Sequence, residues 1–72
     1  MKQDKDGNLY MSIDDVMENV EQLSHSQGFY GRLYERLCEI RDNEPDAWDK
    51  VVTDLEAQHF RTALDMVLYF EQ

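Results

Sequence analysis

Asp4, Asp6, Asn8, Tyr10, Ser12 and Asp15 stand at positions 1, 3, 5, 7, 9 and 12 of a calcium-loop register, with Met11 at the apolar eighth position. Calcium takes about six to eight oxygen ligands at such spacing, the seventh position giving a backbone carbonyl. The register departs from that chemistry in three places. Leu9 occupies the position where the sharp turn needs glycine. Asp15 is shorter than the usual bidentate glutamate, and the three residues before Asp4 are too few for an incoming helix. A helix cap explains Ser12 and Asp15 without any ion: a serine followed three residues later by an acid is a variant of the capping box. The reading therefore assigns neither metal nor cofactor.

No other grouping spells out catalysis. His25 and His59 have no ligand spacing, and Cys38, the single cysteine, sits on an apolar helical face as a small buried hydrophobe. No serine lies in a nucleophile motif, and there is no glycine-rich phosphate loop. A non-enzymatic protein is expected.

The remaining chemistry is charge. Sixteen acidic residues against seven basic ones give a formal net charge of −9. Direct nucleic-acid binding needs clustered Lys and Arg, and this chain lacks them. Arg32 and Arg36 form an i,i+4 pair interleaved with Glu35 and Glu39. Such a pattern makes a salt-linked solvent face, or, with Tyr30 and Tyr34 beside it, a docking surface for a carboxylate-rich partner. Asp14, Asp15, Glu18 and Glu21 in one segment, and Asp46, Asp49, Asp54 and Glu56 in another, either solubilise two helices or imitate a row of phosphates.

The elements that must position these residues follow from periodicity. Residues 1–11 show no helical period and predict a turn followed by an irregular or extended arm, disordered in one reading. Residues 12–72 make one helical domain. Ser12 caps a first helix whose stripe is Ile13, Val16, Met17, Val20 and Leu23, ending near Ser24 or His25. Ser24 or Ser26 caps the central helix, where Phe29, Leu33, Leu37 and Ile40 form one stripe and Tyr30, Tyr34 and Cys38 a second. Gly28 and Gly31 predict another helix crossing closely there. Asn43 or Glu44 caps a third helix opened by Pro45, with Trp48, Val51, Val52, Leu55 and His59 on its inner face. Thr62 and Asp65 repeat the cap-plus-acid pattern ahead of a short fourth helix, Ala63 to about Glu71. Of its residues 63–70 only Asp65 is polar, so the helix is either central in the core or covered by a partner. The expected fold is all-α: a small four-helix bundle of three main helices plus a short C-terminal one, with an irregular N-terminal arm.

The segments SQGFYGRLYERL and LEAQHFRTALDMVLYFE resemble a group of short proteins of phages and mobile elements of Gram-positive bacteria. The resemblance covers roughly residues 20 to 71 and implies a small accessory protein inside a bacterial cell. No activity is assigned to that group, so it implies no catalytic residues.

No apolar run reaches the about 18 residues of a membrane span, and no signal-peptide core opens the chain. The expectation is a cytoplasmic, acidic protein–protein interaction module, a phage or mobile-element accessory with one protein partner. So small a chain buries only about 60% of its unfolded surface, and a second copy in a homodimer, a metal or a binding target could supply the rest. The alternative is a DNA-mimic inhibitor of a host defence nuclease or DNA-binding protein, of the anti-restriction or anti-CRISPR type.

Overall fold

The computed structural model describes residues 1–72 and follows the chain from a small hairpin into four helices. Strand β1 (Lys2–Gln3) pairs antiparallel with β2 (Leu9–Tyr10), Lys2 opposite Tyr10 and Gln3 opposite Leu9. Helices α1 (Ile13–Ser24), α2 (Gly28–Asn43), α3 (Pro45–Glu56) and α4 (Ala63–Phe70) follow. The all-α bundle is the observed fold, with this two-stranded element as its N-terminal addition.

Residues 1–11, expected to be irregular, have a definite reason to form a hairpin. The Asp4 carboxylate accepts hydrogen bonds from the backbone N–H groups of Asp6 and Asn8, each at 2.9 Å. Gly7 turns the chain at φ +84°, a conformation that costs little only without a side chain. The hairpin is then tied down by Met11, whose N–H donates to the Phe60 carbonyl at 2.7 Å and whose side chain is buried.

Both cap-plus-acid patterns close as full capping boxes. Ser12 and Asp15 exchange hydrogen bonds across the first turn of α1, and Thr62 and Asp65 do the same for α4. The central helix differs from expectation. Its N-cap is Gln27, with no side-chain cap, because the Ser24 and Ser26 hydroxyls turn back to the Glu21 and Leu23 carbonyls at the end of α1. Glu44 is the N-cap of α3, with Pro45 in its first turn, while Asn43 is the last residue of α2.

The core is Met11, Val16, Met17, Val20, Tyr30, Leu37, Leu55, Phe60 and Met66. The inward seam of α2 runs along Tyr30 and Leu37 with Leu33, Tyr34 and Cys38 half-buried, which rotates Phe29 outward to 45% exposure. Of the first expected stripe Leu33 and Leu37 face the core and Phe29 does not, while Tyr30, Tyr34 and Cys38 of the second all do. His59 also leaves its expected stripe. It follows the end of α3 in the left-handed region at φ +50°, exposed, with its ring stacked on Tyr10 at 4.1 Å.

Neither Gly28 nor Gly31 is a point of close helix approach. A Cβ on Gly28 would meet nothing within 4 Å, and one on Gly31 would meet only the Ser24 carbonyl at 3.9 Å, an ordinary contact. Gly31→Ala should consequently raise stability by up to about 1 kcal/mol through helix propensity. Ser12→Ala and Thr62→Ala should each lower it by about 1 kcal/mol through loss of a cap. Urea unfolding followed by circular dichroism checks all three.

Candidate functional site

The residues of the calcium register do not converge. Asp4 is occupied by the turn of the hairpin. Asp15 accepts from the Ser12 N–H at 3.1 Å and the Ser12 hydroxyl at 3.0 Å, and lies 3.2 Å from the Met1 amino group. No three His, Cys, Asp or Glu side chains stand close enough together to hold a metal ion. The carboxylates with calcium-like spacing are accepting backbone hydrogen bonds at two separate turns.

Glu56, expected on an outer acidic face, is a joint. Its side chain is 13% exposed. One oxygen accepts from the Lys2 ammonium at 2.7 Å and the other from the Ile13 N–H at 2.8 Å. It thus ties β1, the first turn of α1 and the end of α3 together, and places a negative charge at the positive end of the α1 dipole. Nothing in sequence spacing marks this role, because its partners lie 54 and 43 residues away.

The proposed docking set divides in the same way. Tyr30 is fully buried and belongs to the core; its hydroxyl donates to Glu71 at 3.2 Å. Tyr34 is half-buried and donates to Glu21 at 2.9 Å, joining α2 to α1. Arg36 is exposed and paired with Glu39 at 3.2 Å and Glu44 at 3.6 Å. Arg32 is exposed and forms no ion pair. The four residues therefore do not make one accessible surface.

Of the acidic set, Asp14, Glu18, Asp46, Asp49 and Asp54 are exposed, and Asp46 also lies in the first turn of α3, where it complements the dipole. Glu21 is exposed but engaged by Tyr34. Asp15 and Glu56 serve the fold.

What spacing understated is the outer side of α4. Met66 is fully buried and Val67 and Phe70 pack against the core, yet Leu64 is 63% and Leu68 58% exposed. These two leucines stand one turn apart on the same helix face. The signal was present in a segment with a single polar residue, which one packed side cannot cover. Tyr69, beside them, is also exposed and rests edge-on against Phe60 at 5.4 Å. No pocket opens in the surface, and Leu64 and Leu68 are the most exposed large apolar side chains of the four helices.

The titrating groups report how the internal carboxylates are used. The N–H groups of Asn8 and Asp6 hold Asp4 below the usual carboxylate range. The Ser12 N–H and the Met1 ammonium do so for Asp15. Burial alone would push Glu56 up, but Lys2 and the Ile13 N–H outweigh it and hold the carboxyl down. At the alkaline end, the Glu21 carboxylate that accepts the hydrogen bond of its hydroxyl pushes the Tyr34 phenol from 10.0 up to about 12. Burial, with Glu71, raises Tyr30.

A carboxyl held down in the folded state stabilises above its unfolded value and loses that contribution as pH falls through the folded one. Stability should therefore decline as pH drops below 4.5, the ordinary value for Glu56, and further below 3.8, that for Asp4 and Asp15. Glu56→Gln should cost about 1–2 kcal/mol at neutral pH, the scale of a charge-assisted hydrogen bond. The variant and the parent should converge in acid, because glutamine does not titrate. A raised phenol behaves oppositely: the Tyr34 contribution is complete below pH 10 and is lost as pH rises toward about 12. Thermal melts across both limbs read these slopes.

Searches against protein-family models, curated proteins and solved structures find no match to this chain.

Proposed function

We propose that this protein is a non-enzymatic protein–protein interaction module whose docking element is the outer face of α4. The observation that supports this most is the exposure of Leu64 and Leu68 on a regular helix whose other side is anchored in the core. Exposed single leucines are ordinary, but two at adjacent turns with an exposed tyrosine beside them form a contiguous apolar strip. Binding through a strip needs no pocket, and the surface has none. No helix is long and apolar enough to cross a membrane. The single free cysteine, Cys38, suits a reducing cytoplasm, where we place the protein.

The DNA-mimic reading rests on a smaller set than the sequence offers. Asp14, Glu18, Asp46, Asp49 and Asp54 remain exposed and free of ion pairs. Asp15 and Glu56 spend their charge inside the fold, which thins each row where a phosphate-like series would need it continuous. This favours the apolar strip over the acidic rows as the contact surface, with the acids steering a partner of opposite charge.

Affinity capture from the cells that express the protein separates the two readings. The bait is used as parent and as the Leu64→Ser/Leu68→Ser double variant, each with and without excess duplex DNA. A protein retained by the parent, lost from the double variant and unmoved by DNA is the expected result. A protein held equally by both baits and released by DNA would replace this reading with the mimic. Circular dichroism of the double variant should match the parent, since both leucines point outward.

A further inference from the structure

The outer face of α4 carries its own charge pattern as well as its apolar strip. At about 100° per residue, Leu64 and Leu68 lie about 40° apart, with Asp65 to one side and Glu71, the C-cap three residues past Leu68, to the other. Asp65 accepts from the N–H groups of Arg61 and Thr62, and Glu71 from the Tyr30 hydroxyl. All those donors are neutral, and neither carboxylate is ion-paired. A two-leucine seam is thus bordered on both sides by unneutralised acid, on a protein whose net charge is already −9.

We infer that this face docks a basic amphipathic helix of a partner protein, an inference that rests on α4 being the interaction element. Two apolar side chains one turn apart on the incoming helix would pack between Leu64 and Leu68. Lysine or arginine at the flanking positions would meet Asp65 and Glu71, the arrangement by which amphipathic helices are read through i, i+3, i+4 and i+7 anchors. Arg61 is the one cation close by in sequence, and it precedes the helix.

A second copy of this chain fits the same face poorly for two reasons. Antiparallel pairing that sets Leu68 of two α4 helices side by side would place Asp65 of each copy near Glu71 of the other, on bodies that repel through −9 each. An eight-residue helix is also only about 12 Å long, too short to supply the about 800 Å² per partner that a stable dimer interface buries. A basic helix turns the first objection into attraction, and a small contact suits a reversible partner.

The probe is a fluorescent peptide of leucine and lysine alone, with leucines at i, i+3, i+4 and i+7, titrated with the full chain by anisotropy. The same peptide with glutamate for lysine runs beside it. The lysine peptide is expected to bind and the glutamate peptide not to. Leu64→Ser/Leu68→Ser should weaken binding by about tenfold or more, the scale of removing buried leucine contacts. Glu71→Gln should weaken it several-fold and flatten its salt dependence, whereas Asp46→Asn/Asp49→Asn on α3 should change it little.

Three results would overturn the inference. They are absence of binding to the lysine peptide, equal affinity of parent and double-leucine variant, and a dimer in sedimentation that needs Leu64 and Leu68. If the peptide fails while capture from cells still depends on the two leucines, the interaction module stands and only the basic character of its partner falls.

Discussion

The carboxylate of Glu56 is the point at which three separate pieces of this chain become one structure. A largely buried acid is costly unless its lone pairs find donors. Here one oxygen has the Lys2 ammonium and the other the Ile13 N–H, so the same residue closes the hairpin onto α3 and caps α1 from outside its own sequence. The Ser12–Asp15 box satisfies the next N–H groups of that turn from within. Around this joint the apolar seal forms. Met11 bonds to the Phe60 carbonyl, Tyr10 stacks on His59, and Phe60 packs on Tyr69 and Phe70 of α4. The loop from His59 to Phe60 is therefore held by the hairpin on one side and by α4 on the other. That explains why a histidine tolerates φ +50° there.

Legibility followed the range of each interaction. Four helices were readable because their signals are local: Ser12 with Asp15, Thr62 with Asp65, Pro45 after the acidic turn, and period-3.6 stripes. The inner face of α1 was correct residue by residue for Val16, Met17 and Val20, since its opposite side is plainly charged. The inner face of α2 was legible in Leu33, Leu37, Tyr30, Tyr34 and Cys38 but not in Phe29. Large apolar side chains occupy more than half of its circumference, and periodicity alone cannot choose between a seam through Phe29 and one through Tyr30. The choice falls to Tyr30, whose hydroxyl reaches Glu71 and so can be buried without losing a hydrogen bond.

The glycines and serines misled for a related reason. Gly31 looked like a close-packing site, but only the Ser24 carbonyl stands near it. Ser24 and Ser26 looked like caps of the following helix and instead satisfy carbonyls of the preceding one. Short polar side chains bond whichever free backbone group lies within reach, and at a tight α1–α2 turn both helix ends qualify. The candidate site was affected in the same way. Glu56, Asp15 and Tyr30 have the composition of surface or recognition residues, and long-range donors and acceptors draw each of them into the structure.

This division of labour among like residues bears on what the exterior can do. An acidic chain must place its carboxylates somewhere, and each one that finds a backbone N–H contributes stability while its neighbours contribute repulsion. Asp4, Asp15, Asp65 and Glu56 have such partners. Asp14, Glu18, Asp49 and Asp54 are exposed and form no ion pair. Leu64 and Leu68 differ from them, because an exposed apolar pair contributes nothing to solubility and little to a core it does not reach. Helix propensity explains leucine at one exposed position. Two on one face, beside the carboxylates of Asp65 and Glu71 and opposite the buried Met66, are what the proposed docking face rests on.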